Sequence, residues 1–304
     1  MAITAAMVKE LREKTGAGMM DCKKALTEVE GNMDEAIELL RKKGVMKAEK
    51  KADRIAAEGL CDVIIDGDVA AVCEVNSETD FVAKNEEFRS FVSAVTKQAL
   101  STSAEDIDSF LAEKWNLDEA KTVKDALTDK VAVIGENLTI RRFRQVKAEG
   151  ETLVSYIHGG GRIAVLVKAK SNGDDSAKEA LSNIAMQIAA LNPKYISEND
   201  VDAEYIAHEK EILRAQIDND PKESQKPDKV KEGMIKGRIN KQLKEICLMD
   251  QVYVKAEDGK QTVADYLKSV GGIELSEFVR FETGEGLEKK EEDFAAEVAA
   301  QIGG

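Results

Sequence analysis

Two histidines in 304 residues, His158 and His208, leave little with which to build a zinc site or a histidine-based acid–base centre. The four cysteines, Cys22, Cys61, Cys73 and Cys247, form no C-x-x-C pair. Scattered in this way they read as reduced, small apolar residues of a cytosolic protein rather than as a disulfide frame. Only three prolines occur, which argues against long unstructured linkers. Aromatics are 5% of the chain against 43% hydrophobics, so the core is built mainly from Ala, Val, Ile, Leu and Met. No apolar run is long enough to span a bilayer. The N-terminus lacks a basic stretch followed by an apolar one, so no signal or transit peptide is expected. The formal charge is −14, a surface that repels polyanions unless one basic patch is segregated.

Helical periodicity dominates the first 55 residues. Thr4 is placed to cap a helix carrying Met7, Val8 and Leu11, and Gly16-Ala17-Gly18 breaks it. A second helix carries Met20, Ala25 and Leu26 up to Gly31-Asn32. A third carries Ala36, Ile37, Leu39 and Leu40, with Gly44 as its expected stop. Residues 1–50 hold ten basic and nine acidic side chains, a net of +1, so the rest of the chain carries −15. That shift marks a separate unit, joined to the rest by an expected helix from Val45 to Ala57.

The period then changes. Cys61–Ile65 and Val69–Val75 flank Asp66-Gly67-Asp68, a strong hairpin signal. Phe88, Phe91, Val92 and Val95 give a helix, further helices are expected over 105–112 and 119–134, and Leu138–Val146 reads as a strand. The order recurs about 90 residues on. Leu153–Ile157 and Ile163–Val167 surround Gly159-Gly160-Gly161, and Ala180, Leu181, Ile184, Ile188 and Leu191 make a helical stripe. The expected architecture is α+β, with two related subdomains as a pseudo-repeat. A helical hairpin with a polar, proline-bearing tip follows over 193–247. Its arms either meet a partner surface or pack on the chain's own body. Sheet pattern returns at Val252-Tyr253-Val254, then a helix over 262–270 and a strand over 277–281. A last helix is expected from Leu287 to Ile302, with Phe294, Val298 and Ile302 on one face.

No phosphate-binding G-x-x-x-x-G-K-[ST] or G-x-S-x-G motif is present. The triple glycine lies between strands with no helix opening after it, which favours a hairpin turn over a phosphate cradle. His158 beside it reads equally as an exposed hydrogen-bonding group or a solvated histidine. Two segments stand out. In Thr79-Asp80-Phe81-Val82-Ala83-Lys84-Asn85, either Phe81 is a rigid anchor for a partner pocket or Asp80 caps a turn while Phe81 covers its own core. In Leu11–Leu26, Met19 and Met20 follow a glycine-rich turn and form either an adaptable contact surface or core.

Together these two segments resemble the signatures of the bacterial translation elongation factor Ts family. The resemblance extends to I-G-E-N at 134–137, H-G-G-G-R-I at 158–163, E-G-M-I-K-G-R-I-N-K at 232–241 and F-A-A-E-V-A at 294–299. It implies a guanine-nucleotide exchange factor for elongation factor Tu, the GTPase that delivers aminoacyl-tRNA, with no bond chemistry, cofactor or metal of its own. It implies a UBA-like three-helix bundle over 1–55, core subdomains over 56–146 and over 147–192 with 248–282, an inserted coiled coil over 193–247 and a C-terminal helical module over 283–304. Thr79, Asp80, Phe81 and Val82 would form the exchange loop, entering the GTPase beside its magnesium. Arg12, Met19 and Met20 would touch the same domain, Ile134 and Gly135 would assist from the core, and His158 would meet another domain. The implied location is cytoplasmic, with no direct nucleic-acid or membrane partner. A homodimer or 2:2 complex through the coiled coil is compatible, and the oligomeric state stays open. The rival readings are a module recognising a ubiquitin-like or other partner through the N-terminal bundle, an enzyme with an unseen nucleophile–base pair, and an RNA binder.

Overall fold

The computed structural model describes residues 3–288 of a mixed α/β chain, with eleven helices and small antiparallel sheets among them. Two compact units are present. The first holds residues up to Val146, Gly159–Ala164 and the segment from Phe281; the second holds Lys147–His158 and Val165–Arg280.

The first unit begins with helices α1 (Ala5–Thr15), α2 (Met19–Glu28) and α3 (Met33–Glu49). Thr4 accepts from the Met7 amide to start α1, and Gly16 ends it at φ 67°, a left-handed position that suits a residue without Cβ. Asn32 caps α3 by accepting from the Asp34 and Glu35 amides. Val8, Leu11, Cys22, Ala25, Leu26 and Ala36 close the small core between them. Gly44 does not stop α3. It lies inside the helix, where α3 packs on α7 (Val123–Ile134), and a Cβ there would sit 3.3 Å from the Ala132 methyl. The glycine permits close helix approach, and the expected helix over 45–57 ends at Glu49.

Strands β1 (Glu58–Asp66) and β2 (Val69–Ser77) pair antiparallel with Asp66 opposite Val69, leaving the two-residue turn Gly67-Asp68. Then come α4 (Asp80–Ala83), α5 (Glu86–Leu100), α6 (Ile107–Ala112), the short hairpin β3 (Lys114–Trp115) and β4 (Asp118–Thr122), α7, and β5 (Thr139–Lys147). The sheet order is β1-β2-β5. Residues 119–122 are strand rather than the expected helical start; α7 begins only at the Thr122–Asp125 capping box. Alternate residues of β2, Ala71, Cys73 and Val75, join Phe88, Phe91, Val92 and Val95 of α5 in the main core. The opposite set includes Glu74, whose side chain is wholly buried. Its carboxylate accepts from Arg141 (3.0 Å), Arg142 Nε (2.6 Å), Asn76 Nδ2 (3.1 Å) and the Gly284 amide (2.8 Å). A buried carboxylate without such donors would cost several kcal/mol.

The second unit carries β6 (Thr152–His158), most of β7 (Ile163–Lys170), α8 (Asp175–Leu191), α9 (Ala203–Asn219), α10 (Asp228–Ile246), α11 (Val263–Ser269) and most of β8 (Glu274–Glu282). The sheet order is β6-β7-β8, and α8 covers β6 with Ala177, Leu181, Ile184 and Ile188 turned inward. The turn before β7 runs through three glycines at positive φ, 59°, 67° and 108°, as a hairpin turn requires. Helices α9 and α10 bury Leu213, Ile217, Ile235, Ile239 and Leu243 against one another. Ion pairs Lys231–Asp218 at 2.6 Å and Arg238–Glu223 at 2.8 Å lie near the tip. Val252–Val254 is not a strand: one isolated bridge joins Val252 to Thr262. The expected C-terminal helix falls on residues 289–304, outside those described, apart from Leu287 and Glu288.

Candidate functional site

Beyond β2 the chain makes one helical turn, α4, with Thr79 at its N-cap in extended conformation. Successive residues on a helix point about 100° apart, so two neighbours on a short turn can face opposite ways. Val82 is buried, 9% exposed, in the main core of the first unit. Phe81 beside it is 79% exposed, so the own-core alternative for this ring fails. Asp80 does not cap the turn; its carboxylate accepts from Lys84 Nζ at 2.7 Å, and the same ammonium lies 5.7 Å from the Phe81 ring centroid. The ring therefore stands in water with a charged pair at its foot.

What holds this turn comes from far along the sequence. The Glu136 carboxylate accepts from the Thr79 hydroxyl at 2.6 Å and from the Thr79 amide at 3.0 Å. The Asn137 amide donates to Glu78 Oε1 at 2.6 Å, and Arg54 donates to the same oxygen at 3.4 Å. The Asn137 side chain donates to the Ala52 and Arg54 carbonyls at 3.3 and 2.8 Å, while Lys51 donates to the Gly135 carbonyl. The 134–137 segment can reach these groups because α7 ends at Gly135 in the left-handed region, φ 87°. Of the residues singled out there, Ile134 is half-buried against the main core and Gly135 is exposed. Glu136 and Asn137 lie within the I-G-E-N motif, and the sequence alone assigns them no role. Their signal was two polar residues after a helix-ending glycine that the cap itself does not use.

Elsewhere in the first unit, Met19 and Met20 open α2 with 59% and 64% of their surface exposed, so neither is core. Arg12, on α1, is also exposed. A cleft of about 410 Å³ between these helices and α7 is lined by basic residues including Lys24, Arg41, Lys47 and Lys121. Lys47 is paired with Asp21 at 2.9 Å, Arg41 with Asp125 at 3.2 Å and Lys121 with Asp129 at 2.9 Å, so much of its charge is met internally. The Lys47 hydrogen bond holds the Asp21 carboxyl below its usual range.

In the second unit, His158 ends β6 exposed, with Nδ1 3.0 Å from the Tyr156 hydroxyl. The structure thus supplies a neighbour that the linear sequence did not suggest. Burial pushes the Cys61 thiol up to about 12 and raises Cys73 further, which leaves neither as a nucleophile. Among the described residues no group of three or more His, Cys, Asp or Glu is arranged to hold a metal ion, and no helix is long and apolar enough to cross a membrane.

The first unit thus presents a solvated aromatic on a fixed turn and exposed methionines on a helical bundle. The family model for elongation factor TS matches residues 78–285, a span that begins at this loop and ends just past the donors to Glu74. The chain is 53% identical to elongation factor Ts of Clostridioides difficile (strain 630), over 99% of both chains. It is 50% identical to that of Clostridium tetani (strain Massachusetts / E88) and 49% identical to that of Clostridium novyi (strain NT), each again over 99% of both chains. With identity sustained end to end, the chain belongs to the elongation factor Ts family.

Proposed function

We propose that this chain promotes release of GDP from the translation GTPase elongation factor Tu, acting by binding alone, without bond chemistry of its own. An exchange factor works because it binds the nucleotide-free GTPase more tightly than the GDP-bound form. The coupling is reciprocal: contacts that weaken GDP are those that GDP weakens in return. A phosphate-bound Mg²⁺ demands near-ideal octahedral geometry, so a small displacement of its surroundings is costly. Phe81 is the residue we assign to that displacement, with Asp80, Thr79 and Val82 as the rest of the exchange loop. Arg12, Met19 and Met20 add contacts from the bundle, Ile134 and Gly135 from the core, and His158 reaches a separate part of the partner.

The observation that carries this reading is the 79% exposure of Phe81 beside the buried Val82. Fully burying such a ring is worth about 1.5–3 kcal/mol, or roughly a 10- to 150-fold gain in affinity, which the free chain leaves unrealised. The test is release of a fluorescent GDP analogue from elongation factor Tu. Phe81→Ala is expected to keep the fold and to slow stimulated release by more than about tenfold. Unchanged release at matched complex occupancy would overturn the assignment.

With the family comes a finer architecture, which we read into the chain as follows. Residues 1–55 are a UBA-like bundle; 56–146, and 147–192 with 248–282, are related core subdomains; 193–247 is an inserted coiled coil; 283–304 is a C-terminal module. The two three-stranded sheets support it, since each is a hairpin followed by a helix and completed later by a third strand. The setting we infer is the cytoplasm. A homodimer or a 2:2 complex through the coiled coil is compatible with this architecture, and the oligomeric state stays open.

A further inference from the structure

The exchange loop has an anchor that the reading above does not use. Phe81 is held by covalent chain to Thr79, and Thr79 is held on two atoms by one carboxylate, Glu136, 57 residues away. One step back, Glu78 is held by the Asn137 amide. Asn137 in turn grips the Ala52 and Arg54 carbonyls, just after α3. Donors and acceptors alternate without a gap, from the end of α3 through 136–137 to the base of α4. All of these groups lie in the first unit.

The Glu136 carboxylate is not needed to end α7, the helix it follows. The left-handed Gly135 ends α7, through its amide to the Val131 carbonyl. The Thr79 side chain makes no capping bond to α4. A four-residue helix has almost no stability of its own, because nucleation costs more than one turn returns. Without an external anchor the turn would fray, and a ring exposed on a fraying turn loses its fixed direction. A lever that must wedge between packed elements of another protein needs that direction, since ordering it during binding would cost conformational entropy at the moment of contact.

We propose that Glu136 and Asn137 are positioning residues for nucleotide exchange: they fix Thr79 and Glu78 so that Phe81 is presented in one orientation, and they act only through Phe81. The inference rests on the exchange function assigned above. It adds that the 134–137 segment works by holding the loop, not solely by touching the partner.

A double-mutant cycle on the full-length chain tests this. GDP-analogue release from elongation factor Tu is measured against factor concentration, to separate the saturated rate from the half-saturating concentration. Glu136→Ala is expected to lower the saturated rate on the order of tenfold, the scale of losing one or two hydrogen bonds from a pre-set geometry. In the Phe81→Ala background, the same substitution is expected to change the saturated rate less than about twofold. Thr79→Val, which removes only the hydroxyl donor, should give a smaller fall, and Thr79→Ser should restore the rate. Amide hydrogen exchange at Thr79 should quicken in Glu136→Ala while that of Val95 in α5 does not.

The outcomes separate the two readings. If Phe81→Ala slows release and Glu136→Ala does not, the positioning role is overturned and the exchange function stands. If Glu136→Ala slows release equally in both backgrounds, the residue acts elsewhere and the proposal fails. If only the half-saturating concentration rises, the loss lies in binding or in the amount of folded protein and not in the step at which Phe81 acts, and the proposal again fails. If Phe81→Ala leaves release unchanged, the function assigned to the loop fails and the positioning role with it.

Discussion

Removing the Glu74 carboxylate should be among the most damaging single changes the first unit can suffer. The side chain is wholly buried and collects four donors, two of them guanidinium groups that are themselves only 24% and 30% exposed. Glu74→Ala would take this counter-charge from Arg141, leave Arg142 only its pair with Glu285 at 3.2 Å, and strip the Gly284 amide of its acceptor. Breaking a buried ion pair from one side typically costs about 3–5 kcal/mol, a large part of the total stability of a domain. Trp115, the single tryptophan, is 6% exposed in the core of the same unit, so its fluorescence reports on this unit. With a urea slope of about 2 kcal/mol/M, the midpoint should fall by about 2 M. Combining Glu74→Leu with Arg141→Met and Arg142→Met removes the charges together and should recover most of the loss. A midpoint shift below about 0.3 M in Glu74→Ala would refute the reasoning, because the cluster would then contribute no more than a surface pair.

At the start of α7, the Thr122 amide and then Arg41 hold the Asp125 carboxyl below its usual range. A depressed folded value stabilises above the unfolded pKa and fades as pH falls through the folded one. Asp125→Asn should therefore cost about 1 kcal/mol at pH 6, a capping-scale effect trimmed by solvent screening, with the gap from wild type closing below about pH 4. Urea midpoints measured from pH 6 to 3 check this, and a gap independent of pH would contradict it. Gly44→Leu should cost about 1–3 kcal/mol by forcing α3 off the Ala132 methyl, read from the Trp115 transition; an unchanged midpoint would show that the approach is slack. All four cysteines are buried, and burial lifts Cys61 to about 12 and Cys247 to about 11. Ellman's reagent at pH 8 should find essentially no thiol in the native chain and four in guanidinium; a fast native thiol would expose an error in the packing.

What the sequence disclosed was whatever is written locally. The Asp66-Gly67-Asp68 turn and the Phe88, Phe91, Val92, Val95 stripe carry their own geometry, and each element lies where the pattern put it. Residues 119–122 do not: Glu119, Ala120 and Lys121 have weak strand preference, and the strand exists because it pairs with Lys114-Trp115. Gly44 misled because a glycine serves equally as a helix stop and as room for a neighbouring helix. At Phe81, the sequence left open which of two adjacent apolar residues goes inward. Burial of Val82 settled that, through contacts distant in sequence. Glu136 was hidden for the same reason, its partner lying 57 residues back.

The bond from Gly284 to Glu74 joins groups 210 residues apart, and Thr283 lies 3.5 Å from Cys61 across a comparable span. A ribosome releases this chain from its N-terminus, so the buried Glu74 carboxylate, already met by Arg141 and Arg142, waits for its fourth donor until residue 284 has emerged. The second unit, whose segments lie between, is free to fold during that interval. Truncations that stop short of residue 284 should therefore leave not a smaller functional factor but an open first unit, vulnerable to proteases until its last stitch is made.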